Sequence, residues 1–406
     1  MSATAMSIAQ CSDRTKQILV LPGVVGFFFS FRIFIIVLTV RALQSDAQVG
    51  TIAGLALNFF LLAVVAFHSV GPATTTLRST LQVRCVRWVM IFLGFSFLSL
   101  LWTAAVSVPA AVAFWCAMAA DVAMVVLLLR DDSEDAVASA LLKGYVCGAC
   151  AVAVIAWVLP AQSDLRLGDE ELLGPNQIGY ACAFAVFMAQ YLVRRDFRQW
   201  KVPAAFLAIT TVRSFSKTTI AAFLVAEIFL LVRDTSIKRK SKVIVAVAAC
   251  LTIAAFWSLI SAYYEVYTNA ENQAETLTGR LGIWAFILDK ALEQPWIGHG
   301  FHSVWKVIPP FGEFEARHAH NEALQQLYAY GAMGLIMLAG LYSSFYRQVR
   351  KLPSGPLRTP LLGLLLFVLV RGLADTEVFD LSLPLWAIAL FGLTLSRSRT
   401  LNEVPA

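Results

Sequence analysis

Two histidines one residue apart, His318 and His320, stand in the run RHAHNEALQQLYAYGAMGL (Arg317 to Leu335), followed at once by Asn321 and then by an apolar segment. A neutral imidazole, with an ordinary pKa of about 6.5, can accept a proton from a hydroxyl near neutral pH, so this is where a general base is expected. On an extended stretch the two rings share a face, whereas at a helix start they diverge by about 200°. Only one of them then reaches a given hydroxyl, and the His-Asn pairing favours His320. Asn321 can cap or orient the following helix, and Glu322 suits its first turn. The chain has five histidines, and four of them (His299, His302, His318 and His320) lie between residues 263 and 323. Four imidazoles also suffice for a zinc site, but neither a cysteine nor an HExxH spacing accompanies them.

Cations are the second chemical feature. Arg280 lies within LTGRLGIW and Lys217 within RSFSKTT. Gly279 lets the backbone approach a ligand closely, and Ser214, Ser216 and Thr218 crowd hydroxyls around Lys217. Arginine grips phosphate oxygens as a bidentate fork and lysine as a point charge, so the pair suits an anchored diphosphate. Lys290 and Lys306 read as ordinary surface cations. Trp284, Trp296, Phe301 and Trp305 suit either stacking on sugars or an interfacial aromatic belt.

The elements that must hold these residues belong to a membrane. Of 406 residues 59% are hydrophobic and 14% charged, against about 45–50% and about 25% in soluble domains. A helix needs about 20 apolar residues to cross a hydrocarbon core of about 30 Å. On that basis twelve spans are expected, near 17–40, 51–70, 89–107, 111–129, 138–159, 177–193, 198–212, 218–232, 243–262, 324–345, 361–374 and 383–396. The seventh and eighth are short enough to be a re-entrant pair. With both termini inside, 21 of the 32 Lys and Arg residues fall in inner loops and 8 in outer ones, a positive-inside bias. The net charge of +6 therefore reports topology and gives no nucleic-acid footprint; KRKSK at 238–242 reads as a membrane-flanking loop.

The expected fold is all-α and polytopic. An N-terminal transmembrane bundle covers 1–262, with a short outer loop at 160–176. A loop subdomain at 263–323 carries the site, and C-terminal helices cover 324–406. No cleaved signal peptide is evident, so the first span serves as the targeting element. Cys147 and Cys150 form a CxxC in mid-span and read as small helix residues. Arg32, Asp121, Lys143, Glu227 and Arg371 fall inside spans, where charge is costly. Asp121 and Lys143 suit a structural pair, and Arg371 lies near the outer end of its span. Asp375 and Glu377 make an isolated outer acidic pair.

Together these pieces resemble the O-antigen ligase and polymerase superfamily. The resemblance is carried by GRLGIWAFILDKALEQPWIGHGF and AHNEALQQLYAYGAMGL, by RLGDEELLGPNQIG at 166–179 and by SFSKTT at 214–219. It implies a GT-C-like, metal-independent, inverting glycosyltransferase of the bacterial inner membrane that needs no cofactor and works at the periplasmic face. The implied donor is an undecaprenyl-diphosphate-linked glycan. The acceptor is a growing glycan or a lipid A core, in surrounding membrane lipid and with a chain-length regulator as a further partner. By the same resemblance Arg280, Lys217 and Arg166 bind the donor diphosphate and His320 activates the acceptor hydroxyl, supported by Asn321, His318 and Arg371. Lys217 stands where ligases typically carry Arg, which points toward the exopolysaccharide polymerases. A transporter of lipid-linked oligosaccharide is the alternative from another class. Against it stand the lack of an inverted repeat and the placing of charge outside the membrane midplane.

Overall fold

The computed structural model describes residues 3–70, 77–131, 134–160, 162, 165–168, 172–195, 197–234, 238–255, 257–259, 261–262, 277–309, 316–353, 357–377 and 381–400. The described residues form helices and no strand. In chain order they are α1 (Ala3–Leu43), α2 (Ala47–His68), α3 (Leu77–Gln82), α4 (Arg84–Ser99), α5 (Val108–Asp131), α6 (Glu134–Val158) and α7 (Pro175–Arg194). After these come α8 (Lys201–Arg213), α9 (Lys217–Arg233), α10 (Arg239–Ala255), α11 (Leu277–Glu293), α12 (Glu322–Arg350), α13 (Arg358–Gly372) and α14 (Leu385–Thr400). Each of the twelve expected segments overlaps one of these helices. Among the described residues, five stretches are long and apolar enough to cross a membrane: Val20–Leu43, Ala47–His68, Val108–Arg130, Asp135–Val158 and Glu322–Arg350. Of the loop expected over 263–323, residues 263–276 and 310–315 lie outside the described residues, and α11 occupies part of the remainder.

The bundle is organised around helices that are apolar on every side. Leu385 to Leu395 in α14 are buried throughout. Trp386 packs against Phe29 at 4.7 Å, Tyr145 at 5.6 Å and Phe184 at 6.3 Å between ring centroids. Such all-round burial marks a central helix. Helices α1 and α6 meet backbone to backbone. A Cβ added at Gly26 would lie 1.9 Å from the Leu141 carbonyl oxygen, and one at Gly144 1.9 Å from that of Gly23. Small residues permit this close approach between membrane helices, and the Ser30 hydroxyl donates across it to the Tyr145 carbonyl at 2.8 Å.

Charges within the bundle find partners that sequence spacing does not give. Asp121 pairs with Arg32 of α1 and accepts from Asn58 Nδ2 of α2 at 3.0 Å. The expected pairing of Asp121 with Lys143 is thus corrected: Lys143 lies over the Phe197 ring, 3.8 Å from its centroid. Between α8 and α9 the chain breaks at Ser214–Ser216, where Phe215 has φ +54°. The two short segments are therefore separate helices.

The most unusual element is α12. At Gly331 its backbone takes φ 62° and ψ −152°, a region essentially open to glycine alone. The break frees two carbonyls and two amides of the helix, and the segment Pro295–Gly300 takes them up. His299 N–H donates to the Tyr328 carbonyl at 2.9 Å and Gly300 N–H to that of Ala329 at 2.8 Å. In return Ala332 N–H donates to the Pro295 carbonyl at 2.7 Å and Met333 N–H to that of Trp296 at 3.3 Å. The far side of the same segment is pinned by Thr103 Oγ1, which donates to the Phe301 carbonyl at 2.6 Å. The P-x-x-G-x-G pattern is thus a plug of backbone set into a broken helix.

A Cβ at Gly331 would meet the Trp296 carbonyl carbon at 2.4 Å, whereas one at Gly54 in α2 meets nothing within 4 Å. Gly331→Ala should therefore lower stability by at least about 2 kcal/mol. Gly54→Ala should be neutral or raise it by up to about 1 kcal/mol, since alanine favours helix. Thermal unfolding of the two purified variants in detergent measures both, and equal behaviour would show that the break is not required.

Candidate active site

His320 is placed by local backbone strain. It precedes α12 with φ +49°, a left-handed conformation that is uncommon for a residue with a Cβ. Asn321 follows as the N-cap: its Oδ1 accepts from Leu324 N–H at 3.0 Å, and its Nδ2 donates to the Leu373 carbonyl at 2.9 Å. This expected helix-capping residue therefore also ties the start of α12 to the end of α13. A small apolar cluster that includes Ile283, Ile287, Val304, Ile308 and Tyr328 buries Ala316 and Ala319, holding the chain on either side of His318. Ala319 N–H in turn donates to Gln325 Oε1 at 2.9 Å.

With that backbone, the imidazoles converge on one carboxylate. His320 Nδ1 lies 3.3 Å from Asp375 Oδ1 and His318 Nδ1 3.9 Å from the same atom. The rings are 4.1 Å apart, so neither the shared face nor the 200° divergence expected from spacing applies; the left-handed turn brings both to the same acceptor. They are not equivalent. His318 Nδ1 accepts from the backbone N–H of His320 at 3.3 Å and so cannot also donate to Asp375. His320 can, and placing its Nδ1 proton toward Asp375 leaves Nε2 as the basic nitrogen. Burial, with His320 beside it, holds the His318 imidazole well below its ordinary value.

Asp375 is fixed from the other side by Arg371, only 2% exposed. Arg371 Nη2 lies 3.1 Å from Asp375 Oδ2, and Nη1 lies 3.1 Å from Glu377 Oε1 in a charge pair without hydrogen-bond alignment. Its Nε donates to Thr219 Oγ1 at 3.4 Å, and its carbon lies 4.5 Å from the Tyr180 ring centroid. Burial alone would raise the Asp375 carboxyl; Arg371 and the hydrogen bond from His320 hold it below the ordinary carboxylate range. Arg371 lies in the last turn of α13, as the counter-ion of the carboxylate that meets His320.

The remaining candidates are placed as follows. Thr219 accepts from Ser216 Oγ at 2.8 Å, and Ser216 Oγ also reaches Asn176 Oδ1 at 2.7 Å. The Pro-Asn motif at the start of α7 and the Ser-Phe-Ser-Lys motif at the start of α9 thus meet beside Arg371. Lys217 is exposed in the first turn of α9, where the helix dipole adds to its charge. Arg280, in α11, is close enough to His318 to help lower its pKa. Arg166 lies on the turn at 165–168, where Arg213 Nη1 donates to the Leu165 carbonyl at 2.9 Å. Glu322 is buried, accepting from Tyr342 Oη at 2.6 Å and Ser382 N–H at 2.8 Å. His299 stacks on Tyr328 at 4.3 Å and His302 on Trp305 at 5.3 Å. The four histidines therefore do not assemble, and Phe301, 2% exposed, belongs to the core.

A family model described as O-antigen ligase matches residues 202–339. This part of the chain, about a third of it, is similar to the O-antigen ligase family. The match supports the O-antigen ligase and polymerase superfamily for the chain. It takes in Lys217, Arg280, His318, His320 and Asn321; Arg166, Arg371 and Asp375 lie outside it. No curated protein matches the chain. The family and the apolar helices together indicate a glycan-transferring membrane enzyme.

His318, His320 and Asp375 also bring three donor atoms within 4.8 Å of one another, as a metal site would. Two features oppose that use. His318 Nδ1 is already an acceptor, and Arg371 both holds the second Asp375 oxygen and repels a further cation.

His320→Ala should lower transfer by about 10²- to 10⁴-fold. His318→Gln should cost far less and leave the rate–pH profile unchanged in shape between about pH 5 and 8, because a lowered pKa places its titration below that range. Rate–pH profiles of both variants test this, and a reversed order of severity would move the base to His318. The same shifts make stability fall in acid. Below about pH 6.5 the unfolded chain takes a proton that folded His318 refuses, and below about pH 3.9 it takes one that folded Asp375 refuses.

Proposed function

We propose that the chain is a glycosyltransferase that moves a glycan from an undecaprenyl-diphosphate donor at the periplasmic face of the bacterial inner membrane. The observation that carries this reading is the hydrogen-bonded His320–Asp375 pair, braced by buried Arg371, at the edge of the region that matches the O-antigen ligase family. In the proposed step the acceptor hydroxyl oxygen attacks the anomeric carbon and the bond from that carbon to the diphosphate oxygen breaks. The diphosphate departs with the bonding electrons, and the hydroxyl proton passes to His320 Nε2. A single displacement of this kind inverts the anomeric centre. Asp375 stabilises the imidazolium that forms. Lys217, Arg280 and Arg166 are assigned to the departing diphosphate, where charge grows in the transition state.

The reading includes twelve crossings with both termini cytoplasmic, the three regions 1–262, 263–323 and 324–406, and metal independence. Polymerisation of O-antigen or exopolysaccharide repeat units is favoured because Lys217 stands where ligases carry Arg. Transfer to lipid A core, the ligase reaction, is the second reading, and the description of the matched family favours it. Incubating the purified chain with lipid-linked repeat units separates the two: lengthening without lipid A core supports polymerase, and transfer only to added core supports ligase.

Lys217→Ala and Arg280→Ala should each lose most activity while the chain still inserts, and Lys217→Arg should retain part of it. Turnover should survive EDTA. Wild-type rates in both alanine variants, or loss on chelation that zinc or magnesium restores, would refute the assignment.

A further inference from the structure

A cleft of about 830 Å³ opens at the end of the bundle opposite to His320. Helix α7 measures the separation. Its first turn carries Asn176, bonded to Ser216 beside Arg371, while Arg195, just past its last residue, lines the cleft. Twenty residues of helix span about 30 Å, the thickness of a hydrocarbon core. The cleft walls include Val24 and Phe27 of α1, Ala140 and Cys147 of α6, and Phe197 and Trp200 between α7 and α8. Its volume is that of a small-molecule site, and its lining is mostly apolar.

The polar groups of this cleft do not balance. Arg195 and Asp135 satisfy each other, with Nη2 to Oδ2 at 2.7 Å and Nη1 to Oδ1 at 3.0 Å. Lys143 is left over. It lies ten residues into α6 with its ammonium over the Phe197 ring, and no carboxylate among the described residues lies within ion-pair distance. The three charges sum to +1, and exposed Arg198 and Lys201 on the adjoining turn add to them. A charge at this depth is costly unless something answers it, and an aromatic face does so only in part.

We propose that this cleft binds an anionic phospholipid, its phosphate on Lys143 and an acyl chain along the wall formed by α1 and α6. A soluble phosphate would gain nothing from the apolar walls, and a neutral lipid would leave Lys143 unanswered. Basic pockets between membrane helices on the cytoplasmic side hold anionic headgroups in this way, and the arginine-rich end of α7 is the side that the distribution of Lys and Arg makes cytoplasmic. The site stands apart from His320, so its test reads binding and is independent of glycan transfer.

The experiment is native mass spectrometry of the full chain in detergent, titrated with phosphatidylglycerol or phosphatidylcholine, alongside thermal unfolding in each lipid. Phosphatidylglycerol should be retained and should raise the unfolding temperature, while phosphatidylcholine should do neither. Lys143→Gln should weaken retention about fivefold or more, which is the worth of one cation at a lipid surface. Cys147→Phe should block it by filling the cleft, with unfolding in phosphatidylcholine unchanged for both variants. Asp135→Asn should strengthen it, because Arg195 is then released toward the phosphate. Equal retention of the two lipids, or no effect of Lys143→Gln, would overturn the proposal. So would displacement by millimolar inorganic phosphate, which would make the ligand a free anion. Lipid binding that appears only after removal of residues 1–16 would also overturn it, since the chain's own N-terminus would then be the occupant.

Discussion

A guanidinium with almost no contact with water has to be answered from within the protein, and Arg371 is met from three segments, with only its Nη1 left without a hydrogen bond. Two carboxylates, a threonine hydroxyl and an aromatic face converge on it from α7, α9 and the segment after α13. Burial of an ion pair is costly unless its geometry and hydrogen bonds are nearly complete. The arrangement around Arg371 therefore fixes several helices relative to one another. It also leaves Asp375 with one oxygen held and the other directed at His320, so the constraint that makes Arg371 tolerable also sets the orientation of that imidazole.

The kink at Gly331 contributes the second half of that placement. An unbroken α12 would satisfy its own carbonyls and amides and offer nothing to the 295–300 segment. Once broken, it exchanges four backbone hydrogen bonds with that segment, which is itself tied to the end of α4. The loop bearing His320 is then held at both ends: by the α11 cluster before it and by the braced helix after it. Rigid support of this kind is what a general base requires, since misplacement by even about 1 Å is costly to rate.

Much of this was legible in the sequence. Apolar runs of sufficient length show the helices, and the His-Asn pair before α12 shows the helix cap beside the histidine proposed as base. Lys217 and Arg280 stand out in the sequence because basic residues are scarce in the loops read as outer. What sequence did not show depends on contacts between distant segments. Asp375 reads as half of an isolated acidic pair; its spacing of four residues from Arg371 is the only local sign that the two meet. Asn176, Ser216 and Thr219 are ordinary residues until α7 and α9 are brought together. Asp121 seemed suited to Lys143 because their spans are neighbours, yet helix rotation turns it to Arg32. The strain at His320 has no signature in residue type.

The position of α14 has a consequence for how the protein is made. Buried throughout from Leu385 to Leu395, it gathers aromatic rings from α1, α6 and α7 around Trp386, yet it leaves the ribosome after all of them. Until it arrives, the bundle lacks the element about which it closes, and the surfaces that will cover Trp386 face lipid or the insertion machinery. Assembly of this protein is therefore a late event in its synthesis, and a ribosome stalled before residue 385 would leave inserted helices without a common centre.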